Sequence, residues 1–452
     1  MRAVSRLGAR IVIAGTASGV GKTTVATGLM AALRRRGLAV GGAKVGPDFI
    51  DPGYHALATG RPGRNLDAWM CGPDSVVPLA GRAAEGADVL VIEGVLGLFD
   101  GAFEPPAAST ADVARLLGAP VVLVVDAAAV GASAAATVHG FAGFDRTLRL
   151  AGVVLNRVGS DSHEQVLRTA LAPLDVPVLG ALRRDPAFVW RDRHLGLVPV
   201  VEAPESVSDA LGRLAAAVER YCDVDGLLAV ARTAPAMAAA PPPAALPSAA
   251  GGVRLAVAGG RAFSFTYEDN LEALRQAGAE LVPFDPTTDP TLPAGVSGLV
   301  AGGGFPEVYA EALAANLPLL DDVAGAIAGG MATWAECGGL LWLSGRLDGH
   351  RLAGVVPATA TMGDRPTLGY RRGVFHCDTP LGPAGTAFRG HEFHYSSVDP
   401  PGGALRWQGR SGPGTGGFAT STLLASYVHL HLGATPALAE HFVAIAAGAG
   451  WR

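Results

Sequence analysis

Lysine is almost absent from this chain. Lysine and arginine number 35 together among 452 residues, yet only Lys22 and Lys44 are lysines. Lysine carries a compact charge on a flexible stem, whereas arginine presents a rigid planar fork. We therefore expect the two lysines to stand where a guanidinium does not fit. Chance is the alternative explanation, but Lys22 falls at the lysine position of a phosphate-binding loop.

Other scarce features narrow the class of protein. The net charge of −5 is spread along the chain, so no nucleic-acid-binding surface is expected. No apolar run approaches the roughly 20 residues that span a bilayer. We expect no signal peptide, because the phosphate loop follows within a few residues of Met1. The four cysteines lack the spacing of a zinc site, which predicts reduced thiols in a cytoplasmic protein. These cysteines are Cys71, Cys222, Cys337 and Cys377.

The length of the chain predicts two or three domains. Residues 233–252 contain no charged or aromatic residue and are dominated by alanine, proline, glycine and serine. Such a composition is typical of a semi-extended linker. We therefore predict a first domain at residues 1–232 and a second at residues 253–452.

Short valine-rich runs alternate with helical stretches in the first domain. This pattern predicts a parallel β-sheet with helices on both faces, in which functional residues gather at the carboxyl ends of the strands. The predicted strands are Ile11–Ala14, Val89–Ile92, Val121–Val125, Val153–Leu155 and Val176–Leu179.

A glycine-rich loop follows the first predicted strand and precedes a helix. Its backbone N–H groups and the helix N-terminus would bind phosphate, while Lys22 would reach the β and γ phosphates and Thr23 would bind Mg²⁺. The strict motif has glycine where Thr16 stands, so a turn without phosphate is the alternative. Agreement of strand, loop, lysine, threonine and helix favours an ATP site. The candidate ATP-binding residues of this loop are Gly15, Thr16, Gly19, Gly21, Lys22, Thr23 and Thr24.

Further candidates lie beyond this loop. Glu93 ends an apolar strand and is a metal-ligand candidate, and Asp100 follows it as a metal or substrate candidate. Lys44, which is also an ATP-binding candidate, shares one predicted loop with Asp48 and Asp51. Asn156 follows another apolar strand and would read the adenine edge. Each lone carboxylate has a helix cap or a solvated loop as its alternative, and asparagine is a common turn residue.

The second domain contains a predicted strand, sharp turn and helix, with Cys337 at the turn. This elbow would expose the sulfur, and the helix N-terminus favours a thiolate. Backbone N–H groups of glycines would form an oxyanion hole; the candidates are Gly303, Gly304 and Gly338.

A thiolate nucleophile needs a histidine close by. His429 and His431 stand at the end of a predicted strand and are the candidates. His391 and His394 form a rival cluster whose spacing could suggest a metal, although no third ligand is evident and a polar wall facing the site is the favoured interpretation. The pairing of ATP with a cysteine–histidine couple indicates amidation. ATP would activate a carboxylate as an acyl phosphate, and ammonia released from glutamine would attack it.

Several blocks closely resemble the cobyrinic and hydrogenobyrinic acid a,c-diamide synthase family. They are the phosphate loop, KVGPDFIDPGYH, VIEGVLGLFDG, RHLGLVPVVE, GGGFPE, ECGG, RGHEFHYS and SYVHLHLG. The first domain also resembles dethiobiotin synthetase, which shares the G-x5-G-K-T spacing, and the second resembles class I glutamine amidotransferases. The resemblance implies a P-loop NTPase-type domain followed by a flavodoxin-like amidotransferase domain. It also implies ATP- and glutamine-dependent amidation of the a and c acetates of a corrinoid, and a homodimer.

Carried over residue by residue, the resemblance makes Cys337 the nucleophile and His429 its base. Many class I amidotransferases have a glutamate two residues after the histidine, where this chain has His431; water or another carboxylate would then orient the base. The resemblance also implies that four acidic residues match positions that the family uses around ATP, Mg²⁺ and the corrinoid carboxylates. These residues are Asp48, Asp51, Glu93 and Asp100. We assign Asp48 and Glu93, with Thr23, to the metal, and Asp51 and Asp100 to the substrate.

Two other functions remain open at this point. The first is a cobyric acid synthase-like amidase that acts on other corrinoid side chains, against which the KVGPDFIDPGYH block argues. The second is a P-loop ATPase switch fused to an inactive amidotransferase, which the retained Cys337 and His429 disfavour.

Overall fold

The structure is a computed structural model that describes residues 5–102, 108–185, 192–193, 196–197, 199–202, 204–239 and 252–448. The chain divides into two compact units, Met1–Pro242 and Pro243–Arg452. We describe each unit by itself.

The first unit is an α/β unit whose strands and helices alternate. Its strands are β1 (Ser5–Leu7), β2 (Arg10–Gly15), β3 (Val40–Val45), β4 (Arg64–Leu66), β5 (Val89–Glu93), β6 (Val121–Asp126), β7 (Leu150–Val158), β8 (Val178–Arg183), β9 (Asp192–Arg193), β10 (Gly196–Leu197) and β11 (Met237–Ala239). Its helices are α1 (Lys22–Arg35), α2 (Asp51–Thr59), α3 (Val76–Ala83), α4 (Thr110–Leu116), α5 (Ser133–Phe144), α6 (Asp161–Leu171), α7 (Pro204–Tyr221) and α8 (Val224–Arg232).

Seven strands form one parallel sheet in the order β4-β3-β5-β2-β6-β7-β8. The predicted parallel sheet is therefore confirmed. Strand β2 lies in the middle, so the phosphate loop that follows it leaves the carboxyl edge at the centre of the sheet. Strand β3 places Lys44 directly opposite Glu93 of β5. The segment predicted as one loop from Lys44 to Asp51 is instead the end of a strand, a turn and the start of α2.

The predicted linker partly belongs to the first unit. Met237–Ala239 pairs antiparallel with Ser5–Leu7, and Arg149 donates to Thr233. The boundary therefore falls beyond residue 232, between Pro242 and Pro243. Residues 240–251 of the predicted linker lie outside the described residues.

The second unit combines two sheets. Its strands are β12 (Val253–Ala258), β13 (Ala279–Phe284), β14 (Gly298–Ala301), β15 (Ala332–Glu336), β16 (Arg346–Leu347), β17 (His350–Arg351), β18 (Thr359–Phe375), β19 (Ala387–Asp399), β20 (Leu405–Gly409), β21 (Gly412–Gly416), β22 (Phe418–Ala419), β23 (Leu423–Ser426) and β24 (His429–Leu430). Its helices are α9 (Glu268–Gln276), α10 (Ala310–Ala315), α11 (Leu317–Ala328), α12 (Gly338–Leu343) and α13 (Pro436–Gly448).

The six-stranded sheet has the order β13-β12-β14-β15-β23-β22 and is parallel except at the β22 edge. The outer sheet contains β16 to β21 and β24, with β24 on the edge of β19. Strand β15 of the six-stranded sheet leads into Cys337, whereas β24 of the outer sheet carries His429. Among the described residues, no helix is both long and apolar enough to cross a membrane.

Arg10 joins four segments of the first unit. Its side chain is fully buried, and its guanidinium donates to the carbonyl oxygens of Leu117, Gly8 and Pro235 at 2.7 Å each and of Leu7 at 3.3 Å. Buried polar groups need such partners because their desolvation is costly. This one cation therefore holds together the end of β1 with the turn after it, β2, the end of α4 and the segment before β11.

We expect Arg10→Leu to lower the free energy of unfolding by about 3 kcal/mol, because it leaves several buried carbonyl oxygens without a donor. Urea denaturation of the full chain measures this loss. Arg35→Leu is the matched control: Arg35 is half-exposed, its contact with Glu219 is 3.7 Å long, and its removal costs less than about 1 kcal/mol. Equal effects of the two variants would contradict the role of Arg10.

Candidate functional site

The phosphate loop has the geometry expected of an anion-binding loop. Gly21 has φ 97°, in the left-handed region that favours glycine, and α1 begins at Lys22. A Cβ atom at Gly21 would lie 2.0 Å from Nδ2 of Asn156, so a side chain there would also clash. Lys22 Nζ donates to the carbonyl oxygen of Ala17 at 3.0 Å, which folds the lysine back over the loop. Burial, followed by repulsion from Lys44, lowers the pKa of Lys22 to about 8.

Asn156 holds the phosphate loop through a hydrogen bond of its side chain. Its Nδ2 donates to the carbonyl oxygen of Val20 at 2.9 Å, and its side chain is buried. The neighbouring Arg157 donates to the carbonyl oxygen of Gly19 at 2.9 Å and also pairs with Asp126. The amide of Asn156 therefore holds the loop, and its contact with adenine stays a prediction.

Glu93 is the centre of a buried polar cluster next to the loop. Its Oε1 accepts from Thr23 Oγ1 at 2.6 Å and from Lys44 Nζ at 2.8 Å, and its Oε2 lies 2.7 Å from His55 Nε2. Lys44 Nζ also lies 2.6 Å from Asp51 Oδ2. Sequence reasoning did not single out His55, because only the packing of α2 on β3 brings it to Glu93 of the neighbouring strand β5.

The two lysines thus occupy different places in one site. Burial disfavours a charge on Lys44, but the carboxylates of Asp51 and Glu93 outweigh it and raise the pKa of Lys44 well above its usual value. Burial likewise opposes ionisation of Glu93, yet Lys44 and His55 lower its pKa far below the usual range. Burial, followed by repulsion from Asp48 and Glu93, raises the pKa of Asp51 well above its usual value, so Glu93 is the member of the two carboxyl groups whose ionised form is favoured.

Two of the predicted acidic candidates are held in local turns. Asp48 Oδ1 accepts from the backbone N–H groups of Ile50 and Asp51 at 2.8 and 2.9 Å, which caps the start of α2. Asp100 is exposed, and its Oδ2 accepts from the N–H of Gly97 at 3.0 Å. The charge of Asp48 acts on Lys44 and the charge of Asp100 acts on Lys22. The metal and substrate roles of Asp48 and Asp100 stay predictions.

Cys337 stands at a strained elbow in the second unit. It follows β15 directly, precedes α12, and has φ 48° and ψ −97°, a conformation that non-glycine residues rarely adopt. Its N–H donates to the carbonyl oxygen of Ser426 at 2.7 Å, which fixes the elbow against the end of β23. Strain of this kind is typical of functional residues. The predicted strand, turn and helix are therefore confirmed.

The side chain of His429 is buried between Cys337 and Glu336. Its Nδ1 lies 3.3 Å from Glu336 Oε2, and Glu336 Oε1 accepts from the N–H of Leu430 at 2.8 Å. Burial opposes protonation of His429, but hydrogen bonds with Cys337 and Glu336 outweigh it and raise its pKa to about 10. Glu336 is thus the carboxylate that orients the histidine. Sequence reasoning missed it, although it immediately precedes the cysteine.

The glycine-rich segment lies beside this group. A Cβ at Gly303 would lie 2.7 Å from Cε1 of His429, and a Cβ at Gly338 would lie 3.1 Å from the nitrogen of Gly304. The N–H of Gly303, however, donates to the carbonyl oxygen of Phe265 at 3.0 Å. The assignment of Gly303, Gly304 and Gly338 to an oxyanion hole stays a prediction.

His431 and His394, two further candidate histidines, have other neighbours than Cys337. His431 packs on Tyr267 at 4.8 Å between ring centroids, and its Nε2 lies 3.7 Å from Asp269 Oδ2. His394 stacks on Tyr427 at 3.6 Å and shares a hydrogen bond with the carbonyl oxygen of Ser396. No group of three metal-binding side chains occurs among the described residues. The carboxylate beside His429 is Glu336, which precedes the cysteine, and not a residue two positions after the histidine. The catalytic role of His431 stays a prediction.

We expect Glu336→Gln to lower the pKa of His429 by at least about one unit, because an opposite charge at this distance stabilises the imidazolium. In the parent, the raised pKa contributes stability at neutral pH that is lost as the pH rises through about 10. In the variant, this loss occurs at a lower pH. An NMR titration of histidine-labelled protein, with the His429 signal assigned from His429→Gln, measures the shift.

The exposed Glu311 of α10 provides the matched control, since Glu311→Gln leaves the surroundings of His429 unchanged. An unshifted His429 titration in Glu336→Gln would contradict the assignment of Glu336 as its orienting carboxylate.

Comparison with known proteins agrees with this division of the chain. Residues 11–197 match the CobQ/CobB/MinD/ParA nucleotide binding domain, and residues 254–437 match the CobB/CobQ-like glutamine amidotransferase domain. The fold is therefore a P-loop NTPase-type unit followed by a class I-type glutamine amidotransferase unit.

Curated relatives match over almost their whole length. The hydrogenobyrinate a,c-diamide synthase of Streptomyces coelicolor is 49% identical over 96% of this chain and 96% of that protein. The enzyme of the same name from Mycobacterium tuberculosis is 47% identical over 97% and 98%. The cobyrinate a,c-diamide synthase of Syntrophotalea carbinolica is 46% identical over 96% and 98%. With such identity along the full chain, this protein belongs to the hydrogenobyrinate and cobyrinate a,c-diamide synthase family.

Proposed function

We propose that this chain is an ATP-dependent, glutamine-hydrolysing carbon–nitrogen ligase that amidates the a and c acetate carboxylates of a corrinoid in cobalamin biosynthesis. One observation carries the proposal: a single chain holds both a phosphate loop with Lys22 and Thr23 and a buried Cys337–His429–Glu336 group. The names of the relatives supply the substrate class and the positions that are amidated.

The first unit would activate the acetate carboxylate of the corrinoid substrate. A carboxylate resists attack by ammonia because its oxygen is a poor leaving group, and transfer of a phosphoryl group from ATP converts it to an acyl phosphate. Lys22, on its flexible stem, reaches the β and γ phosphates, and the loop N–H groups bind their oxygens. We assign Asp51 and Asp100 to the corrinoid side, and Asn156 to the adenine side of the loop.

Magnesium is the cofactor that these residues fit. Thr23 Oγ1 and Glu93 Oε1 lie 2.6 Å apart, both are hard oxygen ligands, and the lowered pKa of Glu93 favours its ionised form. Mg²⁺ is commonly bound through one or two carboxylates together with substrate phosphates, so a hydroxyl and a carboxylate beside the phosphate loop suffice on the protein side. When bound, the ion would neutralise charge on the transferred phosphoryl group. Asp48, in the turn before α2, is the second carboxylate that we assign to Mg²⁺.

The second unit would release ammonia from glutamine. The protonated His429 stabilises the Cys337 thiolate, which attacks the side-chain amide carbon, and Glu336 keeps the imidazole ring oriented. The N–H groups of Gly304 and Gly338 would stabilise the oxyanion. His429 then protonates the departing ammonia, and water hydrolyses the thioester to glutamate. All four cysteines are free, which supports a cytoplasmic location. The homodimer implied by the resemblance stays a prediction.

Replacement of the nucleophile separates the two half-reactions. We expect Cys337→Ala to abolish amidation with glutamine and to leave amidation with ammonium salts nearly unchanged, since only ammonia release needs the thiol. Formation of the amidated corrinoid, measured with glutamine and with an ammonium salt, tests this expectation. Running the assay on metal-free and on cobalt-containing corrinoid acids also identifies which of the two the enzyme prefers. Cys377→Ala, in the same unit, is the matched control. Loss of both activities in Cys337→Ala would mean that Cys337 has a structural role.

Replacement of the loop lysine tests the ATP half. We expect Lys22→Arg to lower amidation with either nitrogen source by about a hundredfold or more, because a planar guanidinium does not fit where the ammonium folds over the loop. Arg35→Lys, in the last turn of the same helix, should behave as the parent does. Corrinoid-dependent ADP release measures the effect, and near-parental turnover in Lys22→Arg would contradict the phosphate-binding role of this residue.

A further inference from the structure

Helix α2 presents two side chains to the nucleotide site from one face. Asp51 and His55 are four residues apart, so they lie above one another on the helix. Asp51 Oδ2 lies 2.6 Å from Lys44 Nζ, and His55 Nε2 lies 2.7 Å from Glu93 Oε2. The helix is therefore attached to both members of the buried Lys44–Glu93 pair.

The side chain of His55 is enclosed by its neighbours in the core of the first unit. Its side chain has no exposed surface, and Gly42 of β3 leaves the room: a Cβ there would lie 2.9 Å from Cβ of His55. Within the described residues, Nδ1 of His55 is buried without a hydrogen-bond partner. An unsatisfied buried nitrogen costs about 1–3 kcal/mol, so packing alone does not favour an imidazole here. The contact with Glu93 is what distinguishes this residue from an apolar one.

The two oxygens of Glu93 have different partners. Oε1 faces Thr23 and Lys44 on the side of the phosphate loop, while Oε2 faces His55 on the side of α2. A carboxylate with one oxygen fixed cannot rotate to exchange the two. Groups that hold the outer oxygen of a metal-binding carboxylate commonly set metal affinity, and their loss costs about 10- to 100-fold.

We propose that His55 is the positioning residue of Glu93: by holding Oε2, it keeps Oε1 directed toward Thr23 and the phosphate loop for the metal that accompanies ATP. This inference rests on the proposed Mg²⁺ role of Thr23 and Glu93. It adds a residue that touches neither nucleotide nor metal and acts only through the carboxylate.

A pair of variants that differ by one methylene group tests it. His55→Gln keeps an N–H that reaches as far as Nε2 does, whereas His55→Asn is too short to reach Glu93. Both are polar and smaller than histidine, so they disturb the core similarly. The readout is binding of a fluorescent ATP analogue to the full chain, titrated with Mg²⁺ and repeated without metal.

We expect His55→Asn to weaken the apparent Mg²⁺ affinity of the nucleotide complex about 10- to 100-fold and His55→Gln to restore most of it. Binding without metal should change less than about twofold in both. Thr59→Val is the control for stability of α2, because Thr59 donates to the carbonyl oxygen of His55 at 2.8 Å without contacting Glu93.

The outcomes separate this inference from the proposed function. If Mg²⁺ does not strengthen nucleotide binding in the parent, the assigned metal role fails. If it does, and His55→Asn gains as much from Mg²⁺ as the parent, the positioning role of His55 is overturned while the metal role stands. A loss of the same size in Thr59→Val, or no recovery in His55→Gln, would also overturn the positioning role.

Discussion

The carboxylate of Glu93 lies inside the first unit with no exposed surface, and partners from three elements hold it there. Thr23 comes from α1, Lys44 from β3 and His55 from α2. A buried charge without partners is strongly destabilising, so these elements can pack around Glu93 only together. The position of the phosphate loop, the start of α2 and the surroundings of Asp51 all depend on this one group.

The second unit uses the same physical principle for different chemistry. His429 is buried, yet the neighbouring thiol and the carboxylate of Glu336 make its protonated form favourable. The elbow at Cys337 stores backbone strain, which hydrogen bonds of the flanking strands compensate. In both units, a charged group is kept in low dielectric surroundings by a small, fully specified set of partners.

Local sequence patterns predicted the features that depend on neighbours in the chain. The phosphate loop and the elbow at Cys337 were recognisable because strand, glycine and helix follow one another within a few residues. Strand β3 was missed because Gly41 and Gly42 hide its pattern, since glycine is uncommon in strands. The structure explains why both residues are glycine. A Cβ at Gly41 would lie 2.3 Å from the carbonyl oxygen of Ala83, and a Cβ at Gly42 would lie 2.9 Å from Cβ of His55.

Residues whose partners are distant in sequence were harder to predict. Glu336 meets a histidine 93 positions away, and His55 meets a glutamate 38 positions away. Neither spacing leaves a local signal. Likewise, the short strand Met237–Ala239 exists only because Ser5–Leu7 pairs with it, so composition alone indicated a linker. The hydrogen bond from the Gly303 N–H to the carbonyl oxygen of Phe265 likewise joins two loops that are distant in sequence.

The nucleophile and its base stand on different sheets. Cys337 follows β15 of the six-stranded sheet, whereas His429 belongs to β24, which pairs with β19 of the outer sheet. Glu336, the last residue of β15, connects the two sheets, because its Oε1 accepts from the N–H of Leu430 at 2.8 Å and its Oε2 lies 3.3 Å from Nδ1 of His429. The separation of sulfur and imidazole is therefore fixed by the way the two sheets pack on each other, as well as by the two residues themselves.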